Sequence, residues 1–205
     1  MKIFSFLLAL APFISFGQAA KDSLLLKDYE TVKEKLELME YLDHKAVRSF
    51  VNGRNADGET NNDFDFAAFY KDSVLAGNPT GIDISEYLDF RKGKQPKNAD
   101  MFEERTVENN AESLFKLTKK YGYLCGQRIV KLKPEGRLRS GILCTQRTDA
   151  YHLLLKDLFQ TEYKIGNMPE SEYVFFMTME DVLKRGGVMT DADIAKINKA
   201  GISIN

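Results

Sequence analysis

The sequence predicts a mainly α, single-domain bundle of five or six helices with a small β-hairpin around 127–144. Three observations predict it. Apolar residues recur at spacings of three and four over most of the chain, the period of a helix face rather than a strand. Glycines fall where those runs stop, at Gly122, Gly166, Gly186-Gly187 and Gly201, as helix C-termini favour. Only around 127–144 do two short apolar runs flank a turn.

Residues 1–20, MKIFSFLLALAPFISFGQAA, read as a secretory leader. Lys2 supplies the positive start, and Ile3 to Phe16 form an uncharged apolar run of about 14 residues. That is short of the roughly 20 needed to span a bilayer, and Pro12 interrupts it. Small residues suit a cut after Gly17 or after Ala19. No cysteine lies near either, so lipid anchoring through a lipobox is excluded. The expected product is exported, periplasmic or extracellular, with residues 21–205 as one helical domain and no transmembrane segment.

Within that domain, Leu25, Tyr29, Val32, Leu36, Met39, Leu42, Ala46 and Phe50 make one stripe along a helix over 22–50. Residues 51–100 are irregular and acidic. There DFDFAAFYKDSVLAG has the pattern of a short helix, and ISEYLDF is ambiguous. Helical spacing returns over 101–121 with Phe102, Val107, Ala111, Leu114, Phe115 and Leu117. It recurs over 147–165, with Tyr151, Leu154, Leu155 and Phe159 on one side. Pro169 then opens a run apolar nearly all round, read as a buried central helix, with a strand as the alternative. Thr190 to Asp193 looks like a capping box for a last short helix.

The chain's two cysteines, Cys125 and Cys144, bracket the expected hairpin. In an exported protein a lone pair is most often a disulfide, and the chain-entropy model gives about 3 kcal/mol for such a loop. Zinc would need two further ligands, and the only histidines, His44 and His152, lack partners at ligand spacing. An EF-hand alignment on Gly58 puts Gly53 and Phe64 where carboxylates are required, so it fails. No metal or cofactor motif is present.

The chain carries 29 basic and 30 acidic side chains, a balance that argues against nucleic acid. The charges are segregated, however. Residues 55–90 hold eight acids against Lys71, and residues 116–139 hold eight bases against Glu135. Lys119, Lys120, Arg128, Lys131, Lys133, Arg137 and Arg139 are the candidate anion-binding surface. The favoured function is therefore a non-enzymatic binding module for an unknown protein or an anionic envelope component. The alternative is a hydrolase-like enzyme with a site near His44, Arg48 and His152.

Four segments carry a resemblance to a known family: HKAVR (44–48), ENNAESLFKLTKKYGYL (108–124), AYHLLLKD (150–157) and FFMTMEDVLKRGG (175–187). In order of elements they resemble the bacterial domain of unknown function family 6624. Arg48, Asn109 or Asn110 and Tyr121-Gly122-Tyr123 match that family's pattern. His44-Lys45 stands for its Asp-Gln, Leu124 for its Pro, Lys156 for its His, and Met179-Glu180 for its Asp-Arg. The resemblance implies a mostly helical domain with an altered polar signature, and it implies no activity.

Overall fold

The computed structural model describes residues 17–89, 95–136 and 149–203, with backbone alone at 149–152. Among these residues the protein is helical and carries no strand beyond one isolated bridge, Arg54 to Thr60. Helix α1 (17–27) turns at Asp28 into α2 (Tyr29–Asn52). There follow α3 (Phe66–Ala68), which runs into a π-helical stretch (Phe69–Leu75), and α4 (Ile84–Tyr87). Then come α5 (Ala99–Tyr121), α6 (Gly126–Leu132), α7 (Asp149–Lys164), α8 (Glu170–Lys184) and α9 (Asp191–Lys199).

Helices α2 and α5 run antiparallel and form the spine. Arg54 beyond the end of α2 pairs with Asp100 at the start of α5, while Asp28 pairs with Lys120 at the other end. The stripe on α1 and α2 divides between two cores. Leu25, Tyr29, Val32, Leu36 and Met39 join Leu114, Leu117, Phe159 and Phe176 in one. Leu38, Leu42 and Ala46 join Phe66, Tyr70, Val74 and Phe102 in the other. Phe159 stands edge-on between Tyr123 and Phe176, at 5.2 and 4.8 Å between ring centres. Burying each such ring is worth roughly 1.5–3 kcal/mol.

The irregular acidic segment is ordered by its own polar side chains. Asn55 accepts from the backbone of Asp57 and Glu59, Asp65 caps α3, and Asp83 caps α4. The wide turn of the π-helix turns carbonyls toward α2, where the Tyr41 hydroxyl serves Ser73 and Val74 at 2.6 and 2.9 Å. Lys45, one turn further on, donates to Ser73 Oγ at 2.7 Å. Tyr41 thus serves the backbone of the π-helical stretch and Lys45 a side chain on it, tying both to α2.

Two expectations need correction. The first arm of the hairpin is helix α6, and the second arm, with Cys144, Arg137 and Arg139, lies outside the described residues. The run Ile129, Val130, Leu132 was expected to alternate as a strand. Instead, Ile129 is buried in the first core and Leu132 packs against it, three residues apart, while Val130 is exposed. A helix satisfies this short segment's backbone internally, where a strand needs a partner. Pro134 follows the end of α6. Second, α8 is not buried all round. Phe176, Thr178, Glu180 and Val182 are buried, and other residues such as Tyr173 are only partly covered.

The expected capping box is present. Asp193 accepts from the Thr190 amide and hydroxyl at 2.8 and 2.7 Å, and from Arg185 at 2.6 Å. The Thr190 bonds first, outweighing partial burial and helped by Arg185, hold the Asp193 carboxyl down to about 2. A carboxylate depressed below its unfolded value adds stability above about pH 4, which is lost as pH falls toward about 2. Asp193→Asn should therefore melt lower than the parent at neutral pH, and the gap should close between about pH 4 and about pH 2. Paired thermal melts across that range check it, and a gap independent of pH would contradict the cap.

Candidate functional site

Helix α5 stops at Gly122, whose φ of +78° favours glycine. A Cβ there would also lie 3.0 Å from both Arg128 Nη1 and Glu162 Oε2. Glycine lets two charged side chains close on the bare turn. Arg128 donates to the carbonyls of Tyr121 and Tyr123 at 2.6 and 2.9 Å, and Glu162 accepts from the Tyr123 amide at 3.0 Å.

The neighbours of those two residues close a ring. Asp22 on α1 receives Arg128 Nε and Nη2 at 3.1 and 2.6 Å and Gln18 Nε2 at 2.8 Å. Gln18 Oε1 accepts from Asn167 at 2.7 Å, and Asn167 also donates to Glu162 Oε2 at 2.6 Å. Lys21 reaches the other Glu162 oxygen at 2.9 Å. Two acids and two bases thus balance, with Glu162 fully buried and Arg128 only 8% exposed. Each folds there because its helix requires it. Glu162 continues the inward face of Leu155 and Phe159, and Arg128 precedes the buried Ile129 on α6.

Against this ring lies a cavity of about 460 Å³ between α1, α6 and the turn joining α7 to α8. Its polar wall is Gln18, Asp22, Arg128 and Asn167, and its apolar side is Leu132, Ile165 and Pro169. Gln127 and Lys131 project from α6 into its lining. Both are exposed and, among the described residues, their side chains enter no hydrogen bond or ion pair. Cys125 also lines it. Its sulfur accepts from the Arg128 amide, capping α6, and its thiol donates to the Asn167 carbonyl, each at 3.4 Å. Burial pushes the Cys125 thiol up, more than the Arg128 amide lowers it, so it is not an activated nucleophile.

The expected anion surface is distributed differently. Arg128 is internal. Lys120 pairs with Asp28 at 3.0 Å, and the Tyr121 hydroxyl, then Lys120, hold the Asp28 carboxyl below its usual range. Lys133 pairs with Glu30 and lies 3.8 Å from the centre of the Tyr29 ring. Lys119 lies over Phe115, and Lys131 is the member that lines the cavity. Lys120, Arg128 and Lys133 meet Asp28, Asp22 and Glu30, in or between α1 and α2, rather than the acidic segment 55–90. His44 and Arg48 are exposed on α2; His44, 3.9 Å from Glu40, is 77% exposed. Neither lines the cavity, and the side chain of His152 lies outside the described residues. Cys125 is a free thiol here. Among the described residues no helix is long and apolar enough to cross a membrane, and no cluster of three metal-ligating side chains forms.

A second polar group joins α7 and α8. Lys156 and Lys184 both donate to Oε1 of buried Glu180, at 2.8 and 2.6 Å. Burial would raise this carboxyl, but the two lysines together hold it low. Lys156 and Glu180 are two of the positions at which the family resemblance reads altered polar residues. Sequence reasoning missed Gln18, Asp22, Glu162 and Asn167. Glu162 alone had a signal: it falls three residues after Phe159 on the apolar stripe. No family model matches the chain, and no curated protein or solved structure matches it.

Removing one partner of a buried ion pair typically costs about 3–5 kcal/mol. Arg128→Met should therefore destabilise the protein by that order, and Arg128→Lys should recover little because a lysine lacks the fork. Gly122→Ala should also destabilise, through both its φ and the close approach of Arg128 and Glu162. Lys119→Ala, on the same side of the sequence, should stay within about 0.5 kcal/mol. Urea melts of the four variants separate these outcomes; equal effects at Arg128 and Lys119 would refute the ring.

Proposed function

We propose that the protein is an exported, non-enzymatic binding module whose ligand is a small organic anion held in the cavity beside α6. One observation carries the reading: a cavity of about 460 Å³ backed by a fully bonded polar ring, with Gln127 and Lys131 left over at its lining. That volume is within the roughly 300–1,000 Å³ of small-molecule sites. Asp22 and Arg128 neutralise each other across the wall, which leaves Lys131 as the charge a ligand meets. The matching chemistry is a carboxylate or phosphate for Lys131, a hydroxyl or amide for Gln127, and an apolar edge for Leu132, Ile165 and Pro169. The pattern of residues 1–20 supports export. The resemblance in element order adds a helical domain and no activity. The same proposal includes a Cys125–Cys144 disulfide, which in an oxidising compartment would take Cys125 away from the Asn167 carbonyl.

Thermal-shift measurements with sugar acids, sugar phosphates and the corresponding neutral sugars test the reading. The anionic members should raise the melting temperature at low salt, and Lys131→Ala should abolish the rise without lowering the ligand-free melt. Equal shifts from neutral sugars, or shifts that survive Lys131→Ala, would count against it. Peptide mapping of unreduced protein recovered from the envelope should show Cys125 and Cys144 linked. Free alkylatable thiols at both positions would dispose of the staple.

A further inference from the structure

We infer that export cuts the chain between Gly17 and Gln18, so that Gln18 becomes the mature N-terminus and forms part of the cavity wall. The inference rests on the export reading. The sequence permits two cuts, since Ser15 and Gly17 satisfy the small-residue rule for one and Gly17 and Ala19 for the other. The structure separates them. Gln18 joins residues at opposite ends of the chain: it accepts from Asn167 at 2.7 Å and donates to Asp22 at 2.8 Å. A cut after Ala19 would discard that side chain. Asn167 would be left with Glu162 as its side-chain acceptor, and one wall of the cavity would be opened. Among the described residues a cut after Gly17 removes only Gly17 itself, which is exposed and whose Cβ position has no neighbour within 4 Å. Among the described residues, side-chain hydrogen bonding to the body begins at Gln18, the first residue after the earlier cut. Ala19 and Ala20 are exposed and add no such tie.

The step is a hydrolysis by the signal peptidase of the export machinery. Water's hydroxyl goes to the Gly17 carbonyl carbon, and the Gln18 nitrogen leaves with a proton. The products are a carboxylate on the leader and an α-ammonium at the start of α1. If the new N-terminal glutamine later cyclises, its α-nitrogen attacks Cδ and ammonia leaves. The carbonyl that accepts from Asn167 is kept, and the donor to Asp22 is lost.

Intact-mass measurement of the chain recovered from the envelope and medium decides the site. A mass beginning at Gln18, intact or less one ammonia, is expected. A mass beginning at Ala20 would overturn the inference while leaving export standing. An uncut Met1 chain retained inside the cell would overturn export itself. A second measurement tests the physical reason. Chains beginning at Gln18 and at Ala20, each released from a removable tag, should differ by about 2–4 °C in melting temperature, the shorter chain melting lower. Gln18→Ala should reproduce the loss. Equal melts would mean that Gln18 does nothing for the fold and would remove the ground for preferring the earlier cut.

Discussion

A guanidinium enters a protein interior only where its N–H groups are answered, because an unanswered buried charge costs several kcal/mol. Arg128 is answered by Asp22 and by the carbonyls of Tyr121 and Tyr123. Those partners lie on α1 and on the turn after α5, so meeting the charge fixes where both sit relative to α6. Glu162 applies the same constraint from α7, through the Tyr123 amide, Lys21 and Asn167. Four separate segments are thereby held to one glycine turn, and apolar packing fills in around it. Hydrophobic contact alone is non-directional and would leave the angles between such short elements loosely set.

This constraint also explains why a cavity survives at that place. Helix α6 is only seven residues long, too short to be stable alone. It is held by Cys125 and Arg128 at its start and by Ile129 and Leu132 on its inner face, with its outer face uncommitted. Its outer residues are therefore not drawn into the core, and Gln127 and Lys131 stay on the rim. A site with a rigid back and a lightly committed front suits binding, since the wall needs no ordering when a ligand arrives. Within it the ring's charges are already engaged, and burial raises the Cys125 thiol.

Much of the fold was legible in the sequence because long helices announce themselves by period. The stripe over 22–50 reappears in α1 and α2, and the runs at 101–121 and 147–165 match α5 and α7 within two residues. The capping box at Thr190 was legible because its bonds are local. Helix α6 was not. It has barely two turns, and Ile129, Val130 and Leu132 fit either period. What decides between them is Arg128 reaching Asp22, 106 residues away. The ring was hidden for the same reason: sequence shows residue types, but Gln18, Asn167 and Asp22 acquire meaning only across long separations. The asymmetry of charge was read correctly as composition. Its use was not legible, because several acids of 51–100 cap helices and turns while Lys120, Arg128 and Lys133 turn to Asp28, Asp22 and Glu30.

Those turned bases bear on how an anion would be met. The pairs Lys120–Asp28 and Lys133–Glu30 are exposed on at least one side, and such pairs contribute about 0–1 kcal/mol. They are therefore easily re-partnered and do little to hold the fold. Their acids nonetheless lower the field that the lysines would otherwise project, and screening at about 0.1 M salt confines what is left to about 10 Å. A surface of this kind attracts anions weakly and without geometry. The cavity beside α6 differs because the Asp22–Arg128 pair, 2.6 Å apart, is internal and already saturated. Lys131 then acts against a neutral wall rather than within a crowd of counter-charges. Selectivity would come from the shape of that wall and from Gln127. The basic segment as a whole would contribute only a shallow attraction.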